Sequence, residues 1–313
     1  MLVALVGLRT AATSIGLALR KAGREIAVVG HDPDRERSAR AKRLGAVDRL
    51  DGDAVRACEQ ADVVVIDLPP AGVRQALEVL AGTLPEGALV LALGDVLAPL
   101  LEQARVLLAD SRGFVSGHLV APALLEGASE PATANLVNAC FLLAPLQGTA
   151  TEALDRAAGL AEAVGAEVRF TSAAEHDGVA AVGSQLPIAA AWALWRVAMT
   201  PAGWRDRKNA LGGAYAAATY LLEGDRDGWA ETMVANAEPL AVWLGELAGA
   251  LEELRERLLE GDVEGVEALM AASADARERW LAGESESRQT EIPAITWRDI
   301  LLGGLGRRRG RRE

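Results

Sequence analysis

The chain has 313 residues, half of them hydrophobic and 24% charged, a balance that builds a folded core and excludes an intrinsically disordered chain. Its length accommodates two ordinary domains, and a formal net charge of -12 excludes general affinity for nucleic-acid phosphates. The two cysteines, Cys58 and Cys140, lack the spacing of a metal site or a disulfide framework and fit a reducing cytoplasm.

LVALVG (2–7) reads as a buried strand ending on Gly7, followed by a helical pattern through Ala22. EIAVVGHD (25–32) is a second strand ending at Asp32, with a polar helix from Asp34 to about Leu44. ADVVVIDLP (61–69) and GALVLALG (87–94) repeat the strand pattern around the helix GVRQALEVLAG, and ARVLLAD (104–110) reads as one more strand. NACFLLAP (138–145), a helix from Thr151 to Val164 and AEVRFT (166–171) extend the series. Continuous apolar strands alternating with helices predict a doubly wound, Rossmann-type α/β domain over residues 1–171, its parallel sheet covered on both faces.

Strand signals then stop. Residues 172–282 read as an all-α domain, with breaks expected at Pro201-Ala202-Gly203 and near Gly224. All seven tryptophans lie beyond residue 190, and Trp192 and Trp195 share one helical face suited to a bundle core or a subunit interface. The longest apolar run, Leu186 to Met199, is broken by Arg196 and is shorter than the ~20 residues of a spanning helix, so no transmembrane segment is expected. Residues 283–313 read as a linker and a basic tail, GRRRGRRE, expected to be solvated.

The stretch VGLRTAATSIG (6–16) stands where a dinucleotide-binding fold keeps its glycine-rich loop, with Arg9 and Ala12 at two of the glycine positions. Gly7 suits the tight turn, Thr13 and Ser14 offer hydroxyls at the helix start, and Arg9 either pairs with a phosphate or blocks it. Asp32 follows Ala12 by twenty residues, the interval of a carboxylate that binds the adenosine ribose, and favours NAD over NADP; Arg35 and Arg37 weaken that preference. Asp32-Pro33 can equally cap the next helix. In SGHLVAP (116–122), His118 sits in a predicted loop at the carboxyl edge of the sheet, as a proton acceptor or a structural histidine. Ser172 and Glu175 form a capping box that leaves His176 unexplained. No zinc motif, P-loop or nucleophile triad is present, and no metal is expected.

Three segments, in the right order, carry a resemblance to the prephenate/arogenate dehydrogenase family over about residues 2–282: AEHDGVAAVGSQLPIAAAWAL (174–194), GDRDGWAETMVANAEPL (224–240) and SGHLVAP. The resemblance implies a nucleotide-binding domain, a helical domain that forms a homodimer, and oxidative decarboxylation of a cyclohexadienol with NAD or NADP. It further implies that His118 accepts the ring-hydroxyl proton, that Ser184 lines the substrate pocket, and that Gln185 stands where the family has histidine. Asp95 replaces a serine beside the histidine, and Tyr220 replaces a substrate-gripping arginine, for which Arg196, Arg205 and Arg207 are candidate substitutes. Two functions stay open on these residues: an NAD(P)-dependent dehydrogenase, or a catalytically silent nucleotide-binding paralogue with a regulatory role.

Overall fold

The computed structural model describes residues 1–22, 25–108, 113–120, 130–199, 208–223 and 228–282. The expected breaks at Pro201-Ala202-Gly203 and Gly224, the linker and the arginine tail lie outside the described residues.

Eight strands form one sheet in the order β3-β2-β1-β4-β5-β6-β7-β8. They are β1 (Leu2–Val6), β2 (Ala27–His31), β3 (Arg49–Leu50), β4 (Val63–Asp67), β5 (Leu89–Leu93), β6 (Phe114–Val120), β7 (Cys140–Pro145) and β8 (Glu167–Phe170). Strands β4 and β5 are buried at every position, as their unbroken apolar sequences require of strands covered on both faces. Strand order reverses at β1, which pairs in parallel with β2 on one side and β4 on the other, the topological switch point where open α/β sheets bind ligands. The sheet departs from the expected parallel pattern at one seam. Strand β7 runs antiparallel to β6, with His118 opposite Leu142, and β8 follows β7 in parallel. Apolar content marks a strand as buried but carries no direction, so this reversal is invisible in composition.

The helices of this part are α1 (Thr10–Lys21), α2 (Arg35–Leu44), α3 (Ala54–Cys58), α4 (Pro70–Leu80), α5 (Ala98–Leu107) and α6 (Thr151–Ala163). One core packs Val73 and Leu77 of α4 and Leu100 and Ala104 of α5 against Val64, Ile66, Val90 and Ala92 of the sheet. Buried in it is Cys58, a free thiol whose pKa burial pushes up to about 12. ARVLLAD is therefore not a strand: its first four residues end α5, whose buried Leu100, Ala104 and Leu108 repeat every four residues.

Beyond β8 come α7 (Ala173–Ala180), a π-helical turn (Ala181–Gln185), α8 (Leu186–Ala198), α9 (Gly213–Thr219) and α10 (Trp229–Ala235). The chain divides into two compact units, the first spanning Met1–Pro239 and the second beginning at Leu240. Helix α11 (Ala237–Glu260) crosses that boundary, and α12 (Val263–Leu281) follows a turn at Gly261, where Asp262 caps Gly265 N at 2.9 Å. One helical stretch among the described residues, Ala173–Ala198, is long and apolar enough by length and composition to cross a membrane, at a mean hydropathy of 1.3.

Gly7 fixes the turn out of β1. Its φ is +84°, and a Cβ there would lie 2.1 Å from the carbonyl oxygen of Asp67. Gly45 has a similar φ of +78° with open space around it. Gly45→Ala should therefore cost about 1–2 kcal/mol, the left-handed backbone penalty alone. Gly7→Ala should cost at least ~2 kcal/mol more, because backbone must shift to relieve the clash. Denaturant unfolding of both variants tests this; equal losses would contradict the close approach of β1 and β4.

Candidate functional site

The carboxyl ends of β1, β2, β4, β5 and β6 lie along one edge of the sheet, as their parallel pairing dictates, and most of the predicted residues sit there. At the loop after β1, Arg9 takes the N-cap position of α1 with an extended backbone. The Asp67 carboxylate, at the end of β4, accepts the amide of Ala12 at 2.9 Å, one of the helix N-terminal donors that a pyrophosphate would use. Thr13 and Ser14 face inward rather than toward an anion. The Thr13 hydroxyl donates to Leu8 O at 3.0 Å, and Ser14 Oγ accepts from Ala132 N at 3.1 Å; both residues are buried, because the first turn of α1 packs into the protein.

The Asp32 side chain is wholly buried. It accepts the amides of Leu8 and Asp34, both at 2.8 Å, and Arg37 Nε at 3.1 Å. Three of the roughly four acceptor positions of an ionised carboxylate are thus taken, and with no exposed surface the fourth opens to a ribose hydroxyl only when a covering side chain such as Arg37 moves. Asp34, not Asp32-Pro33, caps α2, accepting from Glu36 N and Arg37 N at 2.8 and 3.0 Å. Capping is thereby separated from Asp32, whose carboxylate tethers the loop instead. The residues fit a dinucleotide at its adenosine end through Gly7 and Asp32; at the pyrophosphate, Asp67 and Arg9 replace bare backbone.

His118 is not in a loop. It lies within β6, next to Gly117, where a Cβ would come within 2.8 Å of the Phe141 ring. Its Nε2 is 3.3 Å from Asp95 Oδ1, on the loop between β5 and α5, and its Nδ1 is 2.8 Å from Nε2 of His176. His176 Nδ1 in turn contacts Asp177 Oδ1 at 2.8 Å. The Asp177 carboxylate also accepts the amides of Leu97 at 2.7 Å and Ala98 at 2.9 Å, closing the N-terminus of α5 from a helix some eighty residues away. Burial holds the His118 imidazole below the usual histidine range; Asp95 opposes that shift, His176 adds to it and Asp177 opposes it.

His176 and Asp177 are the residues that the sequence reading left without a role. The Ser172 cap is present, accepting from Glu175 N at 3.2 Å, and it places His176 one turn into α7 with its ring turned to the sheet. The available signal was two adjacent buried polar residues, His-Asp, beside an otherwise apolar helix. Asn236, between α10 and α11, was also overlooked. Its Nδ2 donates to Asp177 O and to Gln185 Oε1, each at 2.9 Å.

Gln185 ends the π-helical turn, a local irregularity frequent at functional sites. It is buried, and its Nε2 has no hydrogen-bond partner among the described residues. Ser184 Oγ donates to Ala180 O at 2.9 Å. Tyr220 lies outside this group: it is partly exposed and opens a 3-10 turn against α8. Of the substitute arginines, Arg205 and Arg207 lie outside the described residues, and the Arg196 guanidinium stacks 5.6 Å from the Trp192 ring centroid.

The constellation is a partly buried imidazole flanked by a carboxylate on one nitrogen and a histidine–aspartate pair on the other, at the edge of a dinucleotide-type sheet. A family profile described as prephenate dehydrogenase, nucleotide-binding domain, matches residues 15–170, beginning just after the Arg9 loop. The prephenate dehydrogenase of Bacillus subtilis is 24% identical over 266 residues, covering 84% of this chain and 72% of that protein. Among solved structures, prephenate dehydrogenase from A. aeolicus, in complex with hydroxyphenyl propionate and NAD+, superposes with a TM-score of 0.76 at 24% identity, covering 89% of this chain and 98% of that one. Synechocystis arogenate dehydrogenase gives a TM-score of 0.69 at 21% identity, covering 90% and 100%. With this sheet, this order of motifs and this match, the chain belongs to the prephenate/arogenate dehydrogenase family as a divergent member.

Proposed function

We propose that the protein is an active NAD(P)-dependent dehydrogenase that oxidatively decarboxylates prephenate, arogenate or a close analogue in the cytoplasm, with NAD favoured over NADP. The observation that carries this reading is the environment of His118: a neutral imidazole at the cofactor edge of the sheet with a carboxylate 3.3 Å from Nε2. The dinucleotide, when bound, supplies the hydride acceptor; Gly7 and Asp32 would hold it, with Arg9 beside its phosphates. His118 Nε2 takes the proton of the ring hydroxyl, and Asp95 stabilises the imidazolium that forms. Gln185 Nε2, buried without a partner and held by Asn236 through its Oε1, is placed to donate to a polar group of the substrate. Ser184, beside Gln185, contributes to the pocket wall, and Tyr220 stands apart from it. The preference for NAD rests on Asp32, whose buried carboxylate disfavours a 2′-phosphate. A silent paralogue would not need an uncapped, buried donor such as Gln185 Nε2, which costs about 1–3 kcal/mol when left unsatisfied.

The helical part is proposed to form a homodimer. Helix α8 buries Ala191 alone, and leaves Trp192 and Val197 more than half exposed and Trp195 37% exposed, with Met199 just beyond it nearly half exposed. The stretch Ala173–Ala198 places His176, Asp177 and Gln185 in polar contacts with the rest of the first unit, which suits a subunit interface better than lipid. Sedimentation equilibrium should give a dimer that Trp192→Glu with Val197→Glu dissociates; a wild-type monomer would contradict this.

Turnover of prephenate and arogenate with each nucleotide tests the main reading. His118→Asn should lower kcat by on the order of 100-fold or more while leaving nucleotide affinity intact. Because the pKa of His118 is lowered from 6.5, the acid limb of kcat/KM should fall below pH 6.5. Asp95→Asn removes the influence that raises it, and should move that limb further to acid. An unchanged rate in His118→Asn would refute the assignment.

A further inference from the structure

The hydrogen-bonded series behind His118 settles which of its nitrogens is the base. An ionised carboxylate accepts hydrogen bonds and cannot donate, so the 2.8 Å contact between Asp177 Oδ1 and His176 Nδ1 places a proton on that nitrogen. A neutral imidazole has one donor and one acceptor, which leaves His176 Nε2 as an acceptor. Its partner at 2.8 Å, His118 Nδ1, must then be the donor. The lone pair of neutral His118 falls on Nε2; the Asp95 carboxylate 3.3 Å away cannot donate to it, and becomes its hydrogen-bond partner only once Nε2 has taken a proton. The reverse tautomer of His118 would set two acceptor lone pairs against each other, or require an imidazolium at His176, whose side chain is 3% exposed.

We infer that His176 and Asp177 are positioning residues that lock His118 in its Nδ1–H tautomer and so present Nε2 as the proton-accepting nitrogen. This rests on the reading of His118 as the proton acceptor. In the step so served, the O–H bond of the substrate hydroxyl breaks as the N–H bond at His118 Nε2 forms, the carbinol C–H bond breaks with its electron pair leaving as the hydride that a bound dinucleotide would accept, the C–O bond becomes C=O, and loss of CO2 makes the ring aromatic. The same carboxylate that orients His176 is itself fixed by Leu97 N and Ala98 N, and Asn236 holds the Asp177 carbonyl at 2.9 Å. The orientation of His118 is thus referred to the start of α5, on the same loop that carries Asp95. Among the described residues, the charged and titratable groups facing His118 are Asp95 from that loop and His176 and Asp177 from α7.

The chain contains three histidines, so nitrogen-15 spectra of histidine-labelled protein can be assigned by single substitutions. In the wild type, above the titration of His118, Nδ1 should be protonated and Nε2 bare. His176→Leu should show a mixture of tautomers and lower kcat on the order of 100-fold, with KM and nucleotide affinity little changed. His176→Gln, whose amide oxygen can accept from His118 Nδ1, should recover most of both. A wild-type proton on Nε2 would overturn the inference, as would a folded His176→Gln no better than His176→Leu. If neither substrate is turned over, the dehydrogenase reading fails, and the nitrogen spectrum still decides the tautomer.

Discussion

The Asp177 carboxylate is the anchor on which the site depends. It takes two backbone amides at the start of α5 and one imidazole nitrogen, and each contact fixes a different element. The amides hold the loop that carries Asp95; the imidazole sets His176, and through it His118. A charge at a helix N-terminus contributes about 0.3–2 kcal/mol, a modest stabilisation, but here it also fixes the directions of two histidine rings. Fold and chemistry meet at this one side chain.

The dinucleotide loop shows a different balance. Gly7 and Asp32 keep the geometry of a nucleotide fold: one permits the close approach to β4, and the other ties the loop to the end of β2. Arg9 and Asp67 then bring opposite charges to the region where a bare glycine loop would offer only amides. The family match begins at residue 15, within α1, and leaves the loop and the first turn of that helix outside it.

Much of the scaffold was legible in the sequence. Buried parallel strands announce themselves as unbroken apolar runs, and β1, β2, β4 and β5 were found for that reason. ARVLLAD misled because three consecutive apolar residues fit a strand as well as one turn of α5; the four-residue repeat Leu100, Ala104, Leu108 shows only over a longer window. The direction of β7 depends on its connection to β6, to which composition is blind. His118 was recognised by its type and neighbourhood, and Asp95 by its place in the family pattern. The link from His118 to His176 spans 58 residues, and no local spacing encodes it. His176 had a local explanation for its neighbours, the Ser172 cap, and none for itself. Gln185 and Asn236 lie 51 residues apart in sequence and meet only because the helices after β8 fold back on the sheet.

Everything proposed for His118 requires the altered loop to hold a dinucleotide at this edge of the sheet. Isothermal titration of the full chain with NAD and with NADP decides whether it does. One NAD per chain should bind, tighter than NADP, with ADP-ribose competing for the same site. Absence of heat and of saturation with both nucleotides, in protein shown to be folded, would contradict it.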